Sequence, residues 1–330
     1  MDIGAPTVTA LRRWLEAPGE PEPWVVETSG STGRPKRVRL SRRAVLASVA
    51  ASERRLGASG VWVLALPASY VAGVQVLCRS LVAGHEPVLD AAWPREGTWF
   101  TSLVPTQLHR LLDDPDQVTA LRAAHTILLG GGPIDPALRS RAEGEGLRLV
   151  ATYGAAETAG GCVYDGMPLD GVAVAIGPEG RIRIGGPTLF DGYEGDPGLT
   201  AEVLVDGWFL TSDAGRLDDD GRLQVLGRLD DMVVSGGVNV PAAAVAARLR
   251  EHPGVRAVEV LGVPDEEWGS RVVAFVEGEL SLDDARAFVG ERHPRSWAPR
   301  QLVRLDALPL LDNGKADRLA LRDLAREERP

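Results

Sequence analysis

The sequence predicts an α/β fold: a large N-terminal α/β domain containing an antiparallel β segment, followed by a small α+β lid domain. Three observations carry this. Between residues 22 and 152, short β-prone runs alternate with helical stretches, as in strands joined by crossover helices and paired into a largely parallel sheet. From Val172 the texture changes to short alternating runs (VAVAI, GRIRI, TLFDGY, GWFLT, GRLQVLG) punctuated by Gly and Asp, the pattern of antiparallel strands and tight turns. At Gly227-Arg228-Leu229-Asp230-Asp231 a polar link leads into a second unit with its own helices and strands. The expected domains are 1–228 and 229–330, and 330 residues suit two domains of roughly 100–200 residues each.

Taken in order, Trp24 to Val26 forms a first strand that enters a Gly/Ser/Thr loop, and Val38 to Leu40 leaves it as a second. Ser41 caps a helix over 41–56 with apolar residues at helical spacing. Val61–Leu66 and Trp99–Val104 read as buried strands. The apolar stretch from Val61 to Gly84 is strand plus helix, because Pro67, Gln75 and Arg79 interrupt it too often for a membrane span of about 20 residues. Ile127–Leu129 ends at Gly130-Gly131-Gly132-Pro133, and Pro136–Ala142 starts the next helix. Leu147–Thr152 is a strand ending at Tyr153-Gly154. Ligand loops in such folds fall at the carboxyl ends of strands. In the lid, Pro241 opens a helix over 241–250, strands follow at 255–263 and 271–277, then a helix near 282–292, and LRDLAREER is the last element.

Composition excludes several classes. A net charge of −10 and a pI of about 5.1 argue against general binding to nucleic acid or anionic membranes, which needs a cationic face. Cys78 and Cys162 are the only cysteines, too few for a disulfide framework or a zinc ribbon, so a reducing cytoplasm is expected. The N-terminus has no apolar core of signal-peptide length. There is no GxxxxGK[ST], no GxGxxG after a strand, no GxSxG and no HExxH, and the five histidines lack metal-ligand spacing. Only two of the 36 basic residues are lysine, Lys36 and Lys315. In a chain this biased to Arg, a retained Lys marks a position where a compact ammonium is needed.

Thr28-Ser29-Gly30-Ser31-Thr32-Gly33-Arg34-Pro35-Lys36 packs four hydroxyls and two glycines into its first six residues. Glycine lets main-chain N–H groups approach a phosphate, hydroxyls add donors, and lysine adds charge. The order of residues resembles the phosphate loop of the acyl-adenylate-forming (AMP-binding) family, which includes acyl-CoA ligases, luciferases and peptide-synthetase adenylation domains. Further matches follow in order down the chain to Arg318. Gly130, Gly131 and Gly132 resemble the family's adenine-side turn. Tyr153-Gly154-Ala155-Ala156-Glu157-Thr158 is similar to Tyr-Gly-x-Thr-Glu-Thr, which implies that Tyr153 stacks near adenine and that Glu157 helps hold Mg²⁺ against the phosphates, a hard cation on carboxylate oxygen. Ala156 replaces the usual hydroxyl residue. Trp208 to Asp213 resembles aromatic-x-Thr-Gly-Asp, with Ser212 in place of Gly, and implies that Asp213 accepts both ribose hydroxyls. Gly227-Arg228-Leu229-Asp230 resembles the hinge motif, with Arg228 on ribose or phosphate and Asp230 as pivot. Ser235-Gly236-Gly237 resembles the loop lining the pantetheine tunnel of CoA ligases. Pro309 through Arg318 is similar to the C-terminal Pro-x₄-Gly-Lys-x-x-Arg signature, which makes Lys315 the adenylation lysine.

Relatives carry well over a hundred residues before the phosphate loop and this chain has 27, so the resemblance implies a large domain trimmed at its front. Within the family, residues 159–171 and the run from Leu66 through Arg79 look like short actinobacterial 2-succinylbenzoate–CoA ligases of menaquinone synthesis. The implied reaction is AMP-forming, uses ATP, Mg²⁺ and coenzyme A, and takes a small aromatic dicarboxylic acid. Its catalytic residues are Lys315, Glu157 and Lys36, with Thr158 in the nucleotide motif. A mobile lid would turn about Asp230 so that Lys315 leaves and Ser235–Gly237 arrives for thioester formation. A distal carboxylate needs a donor or cation, and Ser69, Tyr70, Arg79 and Tyr164 are the candidates. Three alternatives stay open: another aryl or fatty acid, a carrier-protein acceptor, and a non-catalytic trimmed relative. Whether the chain forms a homo-oligomer also stays open.

Overall fold

The computed structural model describes residues 4–28, 36–90, 92–309 and 316–327. They fall into two units, one of Met1–Ala175, Arg183–Thr211 and Leu217–Leu223, the other of Ile176–Ile182, Ser212–Arg216 and Gln224–Pro330.

The first unit begins with α1 (Gly4–Glu16), β1 (Trp24–Glu27), β2 (Arg37–Leu40), α2 (Arg42–Leu56), β3 (Val61–Val63), α3 (Val71–Val82) and β4 (Trp99–Leu103). It continues with α4 (Pro105–Leu111), α5 (Pro115–Leu121), β5 (Thr126–Leu129), α6 (Pro136–Gly144), β6 (Leu149–Ala155), β7 (Gly160–Tyr164) and β8 (Met167–Pro168). Strands β3 to β8 form one sheet in sequence order. The first four run parallel, and β7 and β8 add antiparallel to the edge. Alternation along the strands feeds two cores. Phe100 and Leu128 pack with Val45, Val49, Val74 and Leu77 of α2 and α3, whereas Trp99, Leu103, Ile127 and Leu129 pack with Leu108, Leu121 and Ala142 of α4, α5 and α6. Ser41 is the N-cap of α2 as expected, its Oγ accepting from Ala44 N at 3.3 Å.

The next elements are β9 (Ala173–Ile176), β10 (Arg181–Gly185), β11 (Gly192–Tyr193), α7 (Pro197–Val203), β12 (Leu204–Val205), β13 (Trp208–Leu217) and β14 (Leu223–Arg228). Four strands form a sheet in the order β12-β13-β10-β9, with β14 also on β13, and β12 antiparallel to β13. Strand β11 instead joins β1 and β2 in a three-stranded antiparallel sheet.

The second unit contains β15 (Met232–Ser235), β16 (Val238–Pro241), α8 (Ala242–Arg250), β17 (Val255–Asp265), β18 (Gly269–Gly278), α9 (Leu282–Gly290), β19 (Gln301–Leu305) and α10 (Arg318–Glu327). Strand β18 pairs antiparallel with β17 and parallel with β19. Val272, Ala274 and Val276 face Val245, Leu249 and Val289 of α8 and α9, while Val273 and Phe275 face Leu321 and Ala325 of α10. This is the α+β layering expected of the C-terminal part.

Four local expectations are corrected. Strand β3 stops at Val63 rather than Leu66, because Leu64 N donates to Val88 O and leaves the ladder to β4. Strand β6 runs through Tyr153-Gly154 to Ala155, because β7 pairs with it there across a bulge. Pro241 is the N-cap of α8 rather than part of its first turn. Helices α1, α4, α5 and α7 and strands β7, β8, β12, β15, β16 and β19 were not anticipated. Among the described residues no helix is long and apolar enough to cross a membrane.

Candidate active site

A cavity of about 130 Å³ opens in the first unit at the carboxyl ends of β4, β5 and β6. Leu103, Gly130, Gly131 and Gly154 line it from the sheet side. Gly130 is needed there, since a Cβ would sit 2.3 Å from Thr152 Oγ1. Val71, Gln75 and Arg79 of α3 line it from the other side, at i, i+4 and i+8 on one helix face.

Arg79 is only 6% exposed. One Nη donates to Tyr164 Oη at 3.2 Å, the guanidinium lies 4.8 Å from the Trp62 ring centroid, and Nε is buried without a partner. Tyr164 Oη also meets Ser52 Oγ at 2.8 Å. Gln75 Nε2 donates to Ala159 O at 2.8 Å, leaving its Oε1 buried and unpartnered. The cation therefore rests on a phenol and an indole. A buried charge without a counter-charge is costly, so such a cavity favours an anionic guest. Burial pushes the adjacent Cys78 thiol up to about 12, against the opposing charge of Arg79. Arg79 also lines a second hollow of about 10 Å³, with Val49, Glu53, Leu56, Ser59 and Trp62. Of the four residues proposed for the acid, Arg79 and Tyr164 meet at the cavity, whereas Ser69 and Tyr70 are exposed and do not line it.

A second cluster forms around Glu157, in the 3₁₀ turn Ala156–Thr158 after β6. Glu157 is 8% exposed, and its Oε1 accepts from Tyr193 Oη at 2.7 Å. Lys36 Nζ lies 5.3 Å from the Tyr193 ring centroid. The burial of Tyr193 and the negative charge of Glu157 push the phenol well above its ordinary range. Thr158 Oγ1 accepts from Ala155 N at 2.8 Å and bonds Gly160 O at 2.7 Å, so its buried hydroxyl pins the turn that carries Glu157. Tyr153 is half-buried in β6, opposite Val163.

Lys36 is at the root of the glycine-serine loop. Thr28 N donates to Lys36 O at 2.9 Å, closing the β1–β2 hairpin. Ser29, Gly30, Ser31, Thr32, Gly33, Arg34 and Pro35 lie outside the described residues, as does Lys315.

In the second unit, Arg228 Nη1 stands 3.7 Å from Asp213 Oδ1, and Asp230 lies in the 3₁₀ turn Leu229–Asp231. Gly236 and Gly237 form the two-residue turn of the β15–β16 hairpin, both with left-handed φ as a primed turn requires. Gly236 must be glycine for a second reason, because a Cβ would lie 2.6 Å from the Trp268 ring. Arg300 covers that ring at 3.3 Å and donates to Ser235 Oγ at 3.4 Å. Arg318 pairs with Asp231 and, at 3.0 Å, with Glu259; the Asp231 hydrogen bond raises the guanidinium further above its usual range.

The sequence profile of the AMP-binding enzymes matches residues 25–194, about half of the chain, and that of the AMP-binding enzyme C-terminal domain matches residues 244–315. The chain belongs to the AMP-binding enzyme family. It is 42% identical over 318 residues to the Mycobacterium tuberculosis protein named "Probable 2-succinylbenzoate--CoA ligase", covering 90% of this chain and 83% of the relative. It is 32% identical to the 2-succinylbenzoate–CoA ligase of Listeria monocytogenes, covering 93% and 73%. Among solved structures, o-succinylbenzoate CoA synthetase from Bacillus subtilis, in complex with its acyl-adenylate intermediate, superposes with a TM-score of 0.74 at 28% identity, covering 91% of this chain and 68% of that one.

Within this AMP-binding enzyme the sequence reading missed five site neighbours: Ser52, Gln75, Tyr193, Trp268 and Arg300. Each meets its partner across more than 30 residues of chain. Two of them carried a local signal: Gln75, a polar residue inside an apolar stretch, and Tyr193, one of four tyrosines, next to a glycine in the run TLFDGY.

Proposed function

We propose that this chain is an AMP-forming acid–thiol ligase that joins 2-succinylbenzoate to coenzyme A through an acyl-adenylate, in menaquinone biosynthesis. The observation that carries the choice of acid is Arg79, a buried cation on the wall of a cavity at the strand ends. An aromatic acid with a second carboxylate supplies both the apolar ring and the missing counter-charge. Arg79 and Tyr164 hold that distal carboxylate.

In the first step a carboxylate oxygen of the acid attacks the α-phosphorus of ATP and pyrophosphate leaves. Lys36 and the 28–33 loop hold the pyrophosphate, Asp213 and Arg228 bind the ribose side, Tyr153 and the 130–132 turn face adenine, and Lys315 offsets the charge that develops at phosphorus. Glu157 is the residue for Mg²⁺. Among the described residues no group of three or more His, Cys, Asp or Glu is arranged to hold a metal. One buried carboxylate beside substrate phosphates nevertheless suits Mg²⁺, which keeps several waters. When bound, Mg²⁺ draws charge from the phosphate oxygens. In the second step the thiol sulfur of coenzyme A attacks the acyl carbon and AMP leaves, with Ser235, Gly236 and Gly237 along the pantetheine and Asp230 as pivot. Two buried free thiols fit a reducing cytoplasm.

The test is ATP–pyrophosphate exchange over a panel of aryl, fatty and dicarboxylic acids, followed by thioester formation with coenzyme A or a carrier protein. Exchange and coenzyme A thioester formation with 2-succinylbenzoate above all other acids are expected. A preference for a monocarboxylic acid or a carrier protein would replace this reading, and absence of exchange with every acid would remove the enzyme altogether.

A further inference from the structure

Tyr193 touches two residues assigned to the nucleotide through two different parts of its side chain. The hydroxyl donates to Glu157 Oε1 at 2.7 Å, and the ring lies beneath Lys36 Nζ, 5.3 Å from the centroid. Its position is set by main-chain bonds. Strand β11 pairs with β2 so that Tyr193 stands opposite Val38, two residues beyond Lys36. Tyr193 N donates to Thr200 Oγ1 at 2.8 Å, and Phe190 N donates to Glu157 O at 2.9 Å. The segment 190–193 thus holds Glu157 by its backbone and by its side chain together. A carboxylate that offers one oxygen to a cation is best oriented when a donor fixes the other, and an ammonium is attracted to the face of an aromatic ring within about 6 Å.

We infer that Tyr193 is a positioning residue for the nucleotide: its hydroxyl orients the Glu157 carboxylate for a divalent cation, and its ring seats the Lys36 ammonium. The inference rests on the reading that Glu157 serves Mg²⁺ and Lys36 serves phosphate.

The test is isothermal titration of ATP into the full chain, without acid or coenzyme A, across a range of Mg²⁺ concentrations. Tyr193→Phe keeps the ring and loses the hydroxyl. The Mg²⁺ concentration for half-maximal ATP binding is expected to rise by about tenfold, with metal-free ATP affinity unchanged. Tyr193→Leu removes the ring as well and should also weaken metal-free ATP binding, by about two- to fivefold. Glu157→Gln tests the underlying reading and should shift the Mg²⁺ requirement further than either. If Glu157→Gln shifts the requirement and Tyr193→Phe does not, Tyr193 has no positioning role and the site reading stands. If Glu157→Gln also leaves it unmoved, the site reading falls and the inference with it. A second measurement needs no substitution at Tyr193. The chain has four tyrosines, so 3-fluorotyrosine labelling gives a countable set of ¹⁹F signals, with Tyr193 assigned by phenylalanine at Tyr70, Tyr153 and Tyr164. Its signal is expected to move when Mg²⁺ is added to the ATP complex, and a signal that stays put overturns the inference.

Discussion

Arg79 and Lys36 are both cations resting on aromatic neighbours, yet their surroundings differ. Arg79 is sealed in the core, over Trp62, with one fixed bond to Tyr164. Lys36 is half-buried at the mouth of a hairpin, over Tyr193, with its ammonium on a four-carbon stem. A planar guanidinium held in place discriminates by shape, because it accepts only a carboxylate at a defined angle and distance. A compact ammonium on a long stem delivers charge wherever the phosphates come to lie. In the function proposed above, recognition of the acid depends on rigid packing, and handling of the triphosphate on charge. On that proposal, the contrast accounts for a lysine at position 36 in a chain with 34 arginines.

The largest effect that could break this contrast is at Lys36. Lys36→Ala is expected to lower ATP–pyrophosphate exchange by about 10²-fold or more for every acid alike, with Lys36→Arg recovering only part. Equal activity of the Arg variant would show that charge alone, and not the ammonium's compactness, matters there. Arg79→Lys should act on one acid class. A lost charge-assisted hydrogen bond is worth about 1.5–3 kcal/mol, or roughly 10–100-fold in kcat/KM for 2-succinylbenzoate. An aryl acid without the distal carboxylate should change little, and a uniform loss across the panel would place Arg79 outside acid recognition. Ser52→Ala tests the rigidity itself. It removes one of the two partners of Tyr164 Oη, which should lower stability to urea by about 1 kcal/mol and raise KM for the acid while sparing KM for ATP. Unchanged KM for the acid would mean that the Arg79–Tyr164 pair needs no further support.

The smallest effect comes from a half-buried histidine whose pKa the fold lowers. Burial, then the charges of Arg216 and Arg248, hold His293 below its ordinary value of 6.5, against the pull of Glu251. Its Nδ1 is buried without a partner. Between the lowered folded value and 6.5 the unfolded chain binds more protons, so stability rises with pH through that window and falls on acidification below about 6.5. Thermal melts of the full chain from pH 7.5 down to 5 should show that decline, shallower in His293→Gln. An identical decline in the variant would remove His293 as its source.

Much of the fold could be read from the sequence because its signals are local. The short buried runs of β4 and β5 and the Ser41 cap each declare themselves within a few residues. Helices α4 and α5 span seven residues each, too few for a helical period to emerge, although Pro105 and Pro115 mark their starts. Strand β6 was read too short because β7, which continues its ladder, follows a turn that local pattern cannot foresee. The site divides the same way. Residues in motifs, such as Glu157 and Lys36, were legible by type and order. Tyr193 and Ser52 were not, because each is brought in by pairing or packing between distant elements, and a single sequence holds no record of that register.

Arg79 is also a wall. Its side chain lines both the main cavity and the small hollow bounded by Val49, Glu53, Leu56, Ser59 and Trp62. Shortening that side chain would extend the main cavity toward that hollow, whose lining mixes hydrocarbon with Glu53 and Ser59. The position proposed to read the far charge of the acid thus also bears on how deep the chamber goes. An enzyme redesigned for a longer, uncharged acid would begin by opening this wall.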